Sequence, residues 1–341
     1  MGVPLRMAGD VVIALVGLAL LLAGSHWLVA GSSRLAARRG MSPVVVGAVI
    51  LGFGTSMPEL VVGVTAAAQG DPALGLGGIV GSNAANMGLV LGVAAVATPI
   101  AADRSAWWRV PASLVAVGLF GSLLLTGGTI QRWEGGVLLA TMIVATWWLL
   151  RDPEAAGGKP GTGDRPRAET GEPPALDLWL DAAARRLVPR SRGEMWRMTL
   201  GLVGIVAGAQ VSVEGFTGIA ARLGIATGLV GLSLVAVGTS LPELATALVG
   251  IRRGQPLLTL GNLLGSNIFN SLAIGGIVVL VHPGGIGSDG TPWVAAGVMM
   301  GLMLLAVGFL ATSRSRRRLE RWEGAALLAG YAVALPFILM S

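Results

Sequence analysis

The chain carries the same polar block twice, each time inside an apolar stretch long enough to cross a bilayer. Gly54-Thr55-Ser56-Met57-Pro58-Glu59-Leu60 returns 184 residues later as Gly238-Thr239-Ser240-Leu241-Pro242-Glu243-Leu244. At the same offset, without a gap, Gly81-Ser82-Asn83-Ala84-Ala85-Asn86 matches Gly265-Ser266-Asn267-Ile268-Phe269-Asn270. Gly24 pairs with Gly208, Gly31 with Gly215, and Arg38 and Gly40 with Arg222 and Gly224. Self-similarity at a fixed period marks a duplicated architecture. A looser echo at offset 189, Arg132-Trp133-Glu134-Gly135 and Arg321-Trp322-Glu323-Gly324, extends it to the last span of each half.

Composition says what the duplicated unit is made of. With 53% hydrophobic and only 12% charged residues, and a mean hydropathy of +0.75, the chain is too apolar for a soluble domain. Runs such as 11–30 and 293–311 match the ~20 residues of a spanning helix, not the ~10-residue alternation of a barrel strand. Ten spans are expected near 10–32, 42–69, 73–100, 107–127, 133–150, 197–221, 225–251, 256–281, 291–312 and 322–340. The first reads as a retained span, because it lacks a basic leader and a small-residue cleavage site. Residues 151–196 are rich in Pro, Gly and charge and read as a hydrophilic linker, with 176–188 either a short interfacial helix or a loop. The predicted fold is therefore an all-α integral membrane protein of ten helices. Residues 1–150 form the first five-helix repeat and 197–341 the second.

Five is odd, so the two halves enter the membrane in opposite directions. Inverted repeats of this kind place a substrate site between the repeats near the midplane. All of the Lys and Arg residues except Arg6, Arg132 and Arg222 fall in one alternating set of segments. The positive-inside rule then puts both termini outside and the linker in the cytoplasm. The net charge of +6 is thus a topology signal, and no nucleic-acid partner is expected. Cys is absent, which excludes disulfides and thiolate metal sites.

Carboxylates inside apolar spans are costly and mark function by default. Glu59 and Glu243 lie deep in spans two and seven, beside Pro58 and Pro242. A mid-helix Pro cannot donate to the carbonyl four residues back, here Gly54 or Gly238. Carbonyls near 52–55 and 236–239 therefore need other partners, and a dehydrated cation is one. Thr55, Ser56, Thr239 and Ser240 add hydroxyls. Ser82 with Asn86, and Ser266 with Asn270, are four apart and share a helix face. An all-oxygen set suits hard cations such as Ca²⁺. Its two acids would be neutralised by one Ca²⁺ or two Na⁺, a physical basis for exchange.

At these residues the chain resembles the calcium/cation antiporter superfamily, and within it the prokaryotic sodium/calcium exchangers. The GTSxPE and GSNxxN blocks look like its two alpha repeats, here 52–92 and 236–276. The resemblance implies a secondary antiporter, not an enzyme, exchanging Ca²⁺ for Na⁺ by alternating access, with spans one and six sliding as a gating pair. It implies Glu59 and Glu243 as central Ca²⁺ ligands, joined by Thr55, Thr239 and the carbonyls of Gly52 and Ala236. Ser56, Ser82, Ser240 and Ser266 would help to coordinate Na⁺, with Asn86 and Asn270 beside them. No cofactor is implied beyond the transported ions, and no oligomer is required. Partners are Ca²⁺, Na⁺ and the lipid of a plasma or inner membrane. H⁺-coupled and K⁺-assisted exchange stand as alternatives within the superfamily, and a passive cation channel outside it. An intramembrane hydrolase is disfavoured, since neither His lies near the repeated serines.

Other polar residues read as structural. Glu214 reads as a solvated acid and His26 as a packed, hydrogen-bonded helix residue. Asp71, Asp103 and Asp289 read as loop charges, and Arg314–318 as a topology and headgroup cluster. Trp107, Trp108, Trp147 and Trp148 read as interfacial anchors. One departure from the family pattern matters: many relatives carry Asp where this chain has Asn270. Asn270→Asp restores a third titratable group and is expected to change the pH profile of transport. An unchanged profile across pH in vesicle flux assays counts against that reading.

Overall fold

The computed structural model describes residues 2–126, 129–151, 178–180, 182–183, 193–223, 227–285, 291–312 and 318–339. Among them run ten helices: α1 (Gly2–Arg39), α2 (Pro43–Thr55 and Met57–Ala68), α3 (Pro72–Ala97), α4 (Arg104–Leu125) and α5 (Arg132–Leu150) in the first half. The second half supplies α6 (Gly193–Arg222), α7 (Thr227–Arg252), α8 (Pro256–Val281), α9 (Thr291–Thr312) and α10 (Arg321–Leu339). Seven are each long and apolar enough to cross a membrane, and the bent α2 makes eight. The chain is a multi-pass membrane protein. Most of the linker, with Lys159, Asp289 and Arg314–317, lies outside the described residues. Of the stretch 176–188, residues 178–180 and 182–183 are helical, and the Leu180 carbonyl accepts a hydrogen bond from Trp27 Nε1 at 3.0 Å.

Two helices form the core. The apolar windows of α3 and α8 are both 83% buried, against 22% for α1 and 28% for α6. Both core helices widen into a π-helical turn at the repeated Asn, over Asn86–Val90 and Phe269–Ile274. Such turns bulge a helix and concentrate at functional sites.

The pseudo-symmetry inferred from the repeat extends to details that the motifs did not mention. Two short antiparallel ladders tie the halves together: β1 (Ile100–Ala101) pairs with β4 (Arg318–Leu319), and β2 (Thr129–Ile130) with β3 (Gly284–Gly285). The offsets of 184 and 189 carry one ladder onto the other. The RWEG echo is a duplicated helix cap. Glu134 accepts from the Gln131 backbone N–H at 2.6 Å and Glu323 from the Glu320 N–H at 2.7 Å, each opening the last helix of its half.

α1 is 38 residues long, about 57 Å at 1.5 Å per residue, well beyond a bilayer core of ~30 Å. It lies along α6 over a seam of glycines spaced by seven, Gly17, Gly24 and Gly31 facing a stripe with Gly201, Gly208 and Gly215. A Cβ on Gly24 would stand 2.6 Å from the Gly201 carbonyl oxygen, and one on Gly201 would stand 2.6 Å from the Leu28 nitrogen. Without a hydrophobic drive between helices in lipid, such close backbone approach supplies the contact. Asp10–Arg222 and Arg38–Glu194 clasp the two ends of the pair, and the offset of 184 interchanges these ion pairs.

Cations and acids placed by sequence in loops do more than set topology. Asp71 accepts from the Leu74 N–H at 3.1 Å and Asp103 from the Ala106 N–H at 2.7 Å, capping α3 and α4. Arg109, counted above with the loop cations, is fully buried in α4. It donates to the Ser105 carbonyl at 2.6 Å and to the Leu149 carbonyl at the end of α5 at 3.2 Å. A helix end buried in lipid leaves carbonyls that need such donors. His26 is buried as expected, within 3.1 Å of Arg253 at the end of α7. Trp108 and Trp148 stack at 4.5 Å between centroids. Gly201→Leu is expected to force α1 from α6, costing ~1–3 kcal/mol, and to lower the Tm by several degrees. Gly136→Ala, whose added Cβ meets nothing within 4 Å, leaves the Tm unchanged in the same detergent melt.

Candidate ion-binding site

The two repeated blocks meet where α2, α3, α7 and α8 cross. The first copy breaks its helix: α2 bends by 44° at Ser56, whose φ of −87° and ψ of 9° are not helical. Pro58 then falls in the first turn of the following helical segment, where a missing N–H costs nothing. The second copy does not interrupt its helix. α7 runs from Thr227 to Arg252 through Pro242, so the expected break near 236–239 is absent, although the Gly238 carbonyl still lacks the Pro242 donor. Ala236 lies within this continuous helix.

Thr55, Ser56, Glu59, Ser82, Asn86, Thr239, Ser240, Glu243, Ser266 and Asn270 are all buried, and Gly52 packs among them. Their contacts follow the repeat operator in part. Ser82 Oγ donates to Glu59 Oε1 at 3.0 Å, and Ser266 Oγ is 3.3 Å from Glu243 Oε1. Thr55 of the first repeat reaches the second, its Oγ1 lying 3.2 Å from Ser266 Oγ and 3.3 Å from Asn262 Oδ1. Ser56 Oγ donates to Glu243 Oε1 at 3.3 Å. The halves are further tied by Ser240 Oγ to Ser82 Oγ at 3.5 Å, Asn270 Nδ2 to Ser82 Oγ at 3.1 Å, and Ser266 Oγ to the Gly52 carbonyl at 3.3 Å.

What these contacts leave over defines the chemistry. Glu59 Oε2, Glu243 Oε2, Asn86 Oδ1 and Asn270 Oδ1 are buried oxygens with no hydrogen-bond donor among the described residues. These four acceptors are two pairs at matching repeat positions; of the neighbouring Asn83 and Asn267, Oδ1 of the first and Nδ2 of the second are also unmatched. Buried polar atoms left unmatched in this way call for an explanation. Two carboxylates buried in one hydroxyl network require positive charge from a cation or a proton. A hard cation taking oxygen ligands meets both demands at once.

Sequence reasoning missed several members of the cluster. Asn83 Nδ2 donates to Ser271 Oγ at 2.8 Å, and Asn86 Nδ2 to Asn267 Oδ1 at 3.0 Å, joining α3 to α8 directly. Asn83 and Asn267 stand in the duplicated GSN triplet, so their identity at matching positions was the available signal. Asn262 and Thr246 also join the network, but Gly78 and Val62 occupy the matching places in the first half, so comparing the halves does not find them. Glu214 is exposed on α6, outside the site.

One flank of the site is closed by backbone contact. The first halves of α2 and α8 touch backbone to backbone: a Cβ on Gly52 would lie 2.7 Å from the Ser266 nitrogen, and Gly261 and Gly265 abut Val44 and Ala48. On the first half of α3, a Cβ at Gly77 or Gly78 would meet no atom of the described residues within 4 Å.

This geometry, with paired acids, paired amides and two inverted helix bundles, can be set against known proteins. The sodium/calcium exchanger protein family model matches residues 10–151 and 194–340. The chain belongs to the sodium/calcium exchanger family. CaxA of Alkalimonas amylolytica is 34% identical over 344 residues, covering 97% of this chain and 98% of that protein. The sodium/calcium exchanger MaX1 of Methanosarcina acetivorans is 28% identical, covering 95% of this chain and 96% of its own. A solved structure of the sodium-calcium exchanger NCX_Mj, soaked with 2.5 mM Na⁺ and 0.1 mM Ca²⁺, superposes with a TM-score of 0.76 at 28% identity, covering 96% of this chain and 97% of that one.

A cation that fills the four free oxygens stabilises the folded protein by mass action. Ca²⁺ is therefore expected to raise the Tm of the parent protein, and Ser266→Ala, which removes three contacts at once, to reduce that shift by more than half. A full shift in Ser266→Ala shows that the hydroxyl does not shape the site.

Proposed function

We propose that the chain is a secondary antiporter that exchanges Ca²⁺ for Na⁺ across a plasma or inner membrane by alternating access. One observation carries the reading: four buried acceptor oxygens, two of them carboxylate oxygens, paired by the repeat and lacking donors among the described residues. Electroneutrality inside a low-dielectric pocket then sets the exchange. One Ca²⁺ or two Na⁺ balance the charge of Glu59 and Glu243, and a site filled by one is closed to the other. The names of the relatives support these two ions.

In this mechanism Glu59 and Glu243 ligate Ca²⁺ from opposite repeats, with Thr55 and Thr239 as neutral oxygen ligands. The carbonyls of Gly52 and Ala236 complete the set as the ions change. Ser56, Ser82, Ser240 and Ser266, with Asn86 and Asn270, provide the oxygens that Na⁺ takes when the carboxylates are shared between two monovalent ions. A hydroxyl that donates to a carboxylate when the site is empty turns its lone pairs to the metal when it is filled. No resident cofactor takes part, and the chain has no catalytic role.

The halves 1–150 and 197–341 act as the two inverted repeats, joined by the linker 151–196. Their near symmetry supports alternation. The arrangement that seals α2 against α8 on one flank has a counterpart, under the offset of 184, that would seal α7 against α3 on the other. The cations Arg38, Arg39, Arg252 and Arg253 stand at the sealed flank, so the positive-inside rule makes it cytoplasmic, with both termini on the far side. The α1/α6 pair packs over the site, Gly54 against Leu202 and Gly238 against Val213 of α6, and moves as the gate.

The test is ⁴⁵Ca²⁺ uptake into proteoliposomes loaded with Na⁺ and diluted into Na⁺-free buffer, in parallel with a pH gradient. Na⁺-driven uptake is expected in the parent and at least a hundredfold less in Glu59→Gln and Glu243→Gln. Uptake driven only by the pH gradient moves the coupling ion to H⁺, and flux insensitive to trans Na⁺ converts the reading to a channel.

A further inference from the structure

The polar face of α8 is one rung longer than that of α3. Asn262, Ser266 and Asn270 follow one another at four-residue intervals on one helix face, whereas the matching places on α3 are Gly78, Ser82 and Asn86. Asn262 is fully buried and reaches two other helices. Its Nδ2 donates to Thr246 Oγ1 on α7 at 3.1 Å, and its Oδ1 accepts from Thr55 Oγ1 on α2 at 3.3 Å.

The direction of these bonds is fixed from one end. Thr246 Oγ1 is 2.8 Å from the Pro242 carbonyl and 3.0 Å from the Glu243 carbonyl, so its only proton is spent on backbone. Towards Asn262 it can only accept. The amide NH₂ must therefore face Thr246, and the amide oxygen must face Thr55. That settles the amide orientation, which side-chain shape alone leaves open.

Thr55 Oγ1 has one proton and lies 3.3 Å from Asn262 Oδ1 and 3.2 Å from the hydroxyl of Ser266, which itself contacts Glu243. With a cation on Glu243, a proton pointing into the site opposes the metal, and the oxygen lone pairs are what the metal needs. We propose that Asn262 is a positioning residue that takes the Thr55 proton whenever a cation occupies the site, leaving Thr55 Oγ1 to face the ion as a pure acceptor. At the place on α3 that matches Asn262 stands Gly78, which carries no side chain. Asn262 thus belongs to one half only, and through it the second repeat acts on Thr55 of the first.

This inference rests on the cation site proposed above, and the experiment separates the two. Equilibrium ⁴⁵Ca²⁺ binding is measured in Na⁺-free buffer on purified full-length protein in nanodiscs. Absence of binding in the parent overturns the site itself. With the parent binding, Asn262→Leu, which keeps the volume and removes the acceptor, is expected to weaken affinity about tenfold, as for loss of one hydrogen bond tied to a charged centre. Thr246→Val frees the amide to turn over and is expected to weaken affinity about threefold, well within the range of a net hydrogen bond. The decisive readout is coupling. In a Thr55→Val background neither substitution should weaken binding further, whereas a structural role gives losses that multiply. Parent-like affinity in Thr246→Val and Asn262→Leu, or independent losses in the Thr55→Val background, overturns the proposal. If Asn262→Leu does not fold, the Thr246→Val and Thr55→Val cycle decides alone.

Discussion

Two carboxylates buried side by side in an apolar membrane interior are the constraint on which this structure depends. Glu59 is 4% exposed and Glu243 fully buried, and each has one oxygen held by serine hydroxyls and one without a donor. Such a pair is unstable without compensating positive charge, and the protein supplies none from Lys or Arg within the cluster of contacts described. The fold therefore brings hydroxyls, amides and carbonyls from four helices to one place and leaves the charge balance to the ion it carries. The demand for an ion and the capacity to release it are the same property, because a fixed counter-charge would remove both.

Around that pair, small residues let helices approach closely. Glycine does this on α1 and α6, where stripes spaced by seven bring two long helices into backbone contact, and again where α2 meets α8 at Gly52, Gly261 and Gly265. Dispersion contacts and short backbone approaches are non-directional compared with interlocked side chains, so a helix pair can shift along such a seam at small cost. Directional ties are placed at the ends instead: the ion pairs that clasp α1 to α6 and the two short ladders between the halves. The result is two related bundles that hold together at their margins and meet at the site through weakly directional surfaces.

Departures from symmetry are as informative as the symmetry. The same Pro-Glu block follows a break in the helix at Ser56 in α2 and is absorbed into continuous helix in α7. Identical sequence blocks thus take different backbone courses in the two halves. Asn262 and Thr246 differ from these: they are built into one half only.

The sequence by itself determined that this is a ten-helix membrane protein with inverted halves, and it named the acids, hydroxyls and amides that cluster at the crossing. It could do so because an intramembrane carboxylate is too costly to occur without cause, and because duplication makes the same residues speak twice. It also identified His26 as a packed residue and the Trp pairs as belonging to span ends. It did not determine which flank is sealed, that α7 runs through its proline, that Arg109 is a buried cap, or that RWEG is a capping box. Nor did it reveal Asn262, which has no echo in the other half. Those depend on distances between helices far apart in the chain, where one missing Cβ or one oriented amide decides the outcome. Only the packed tertiary structure fixes such distances.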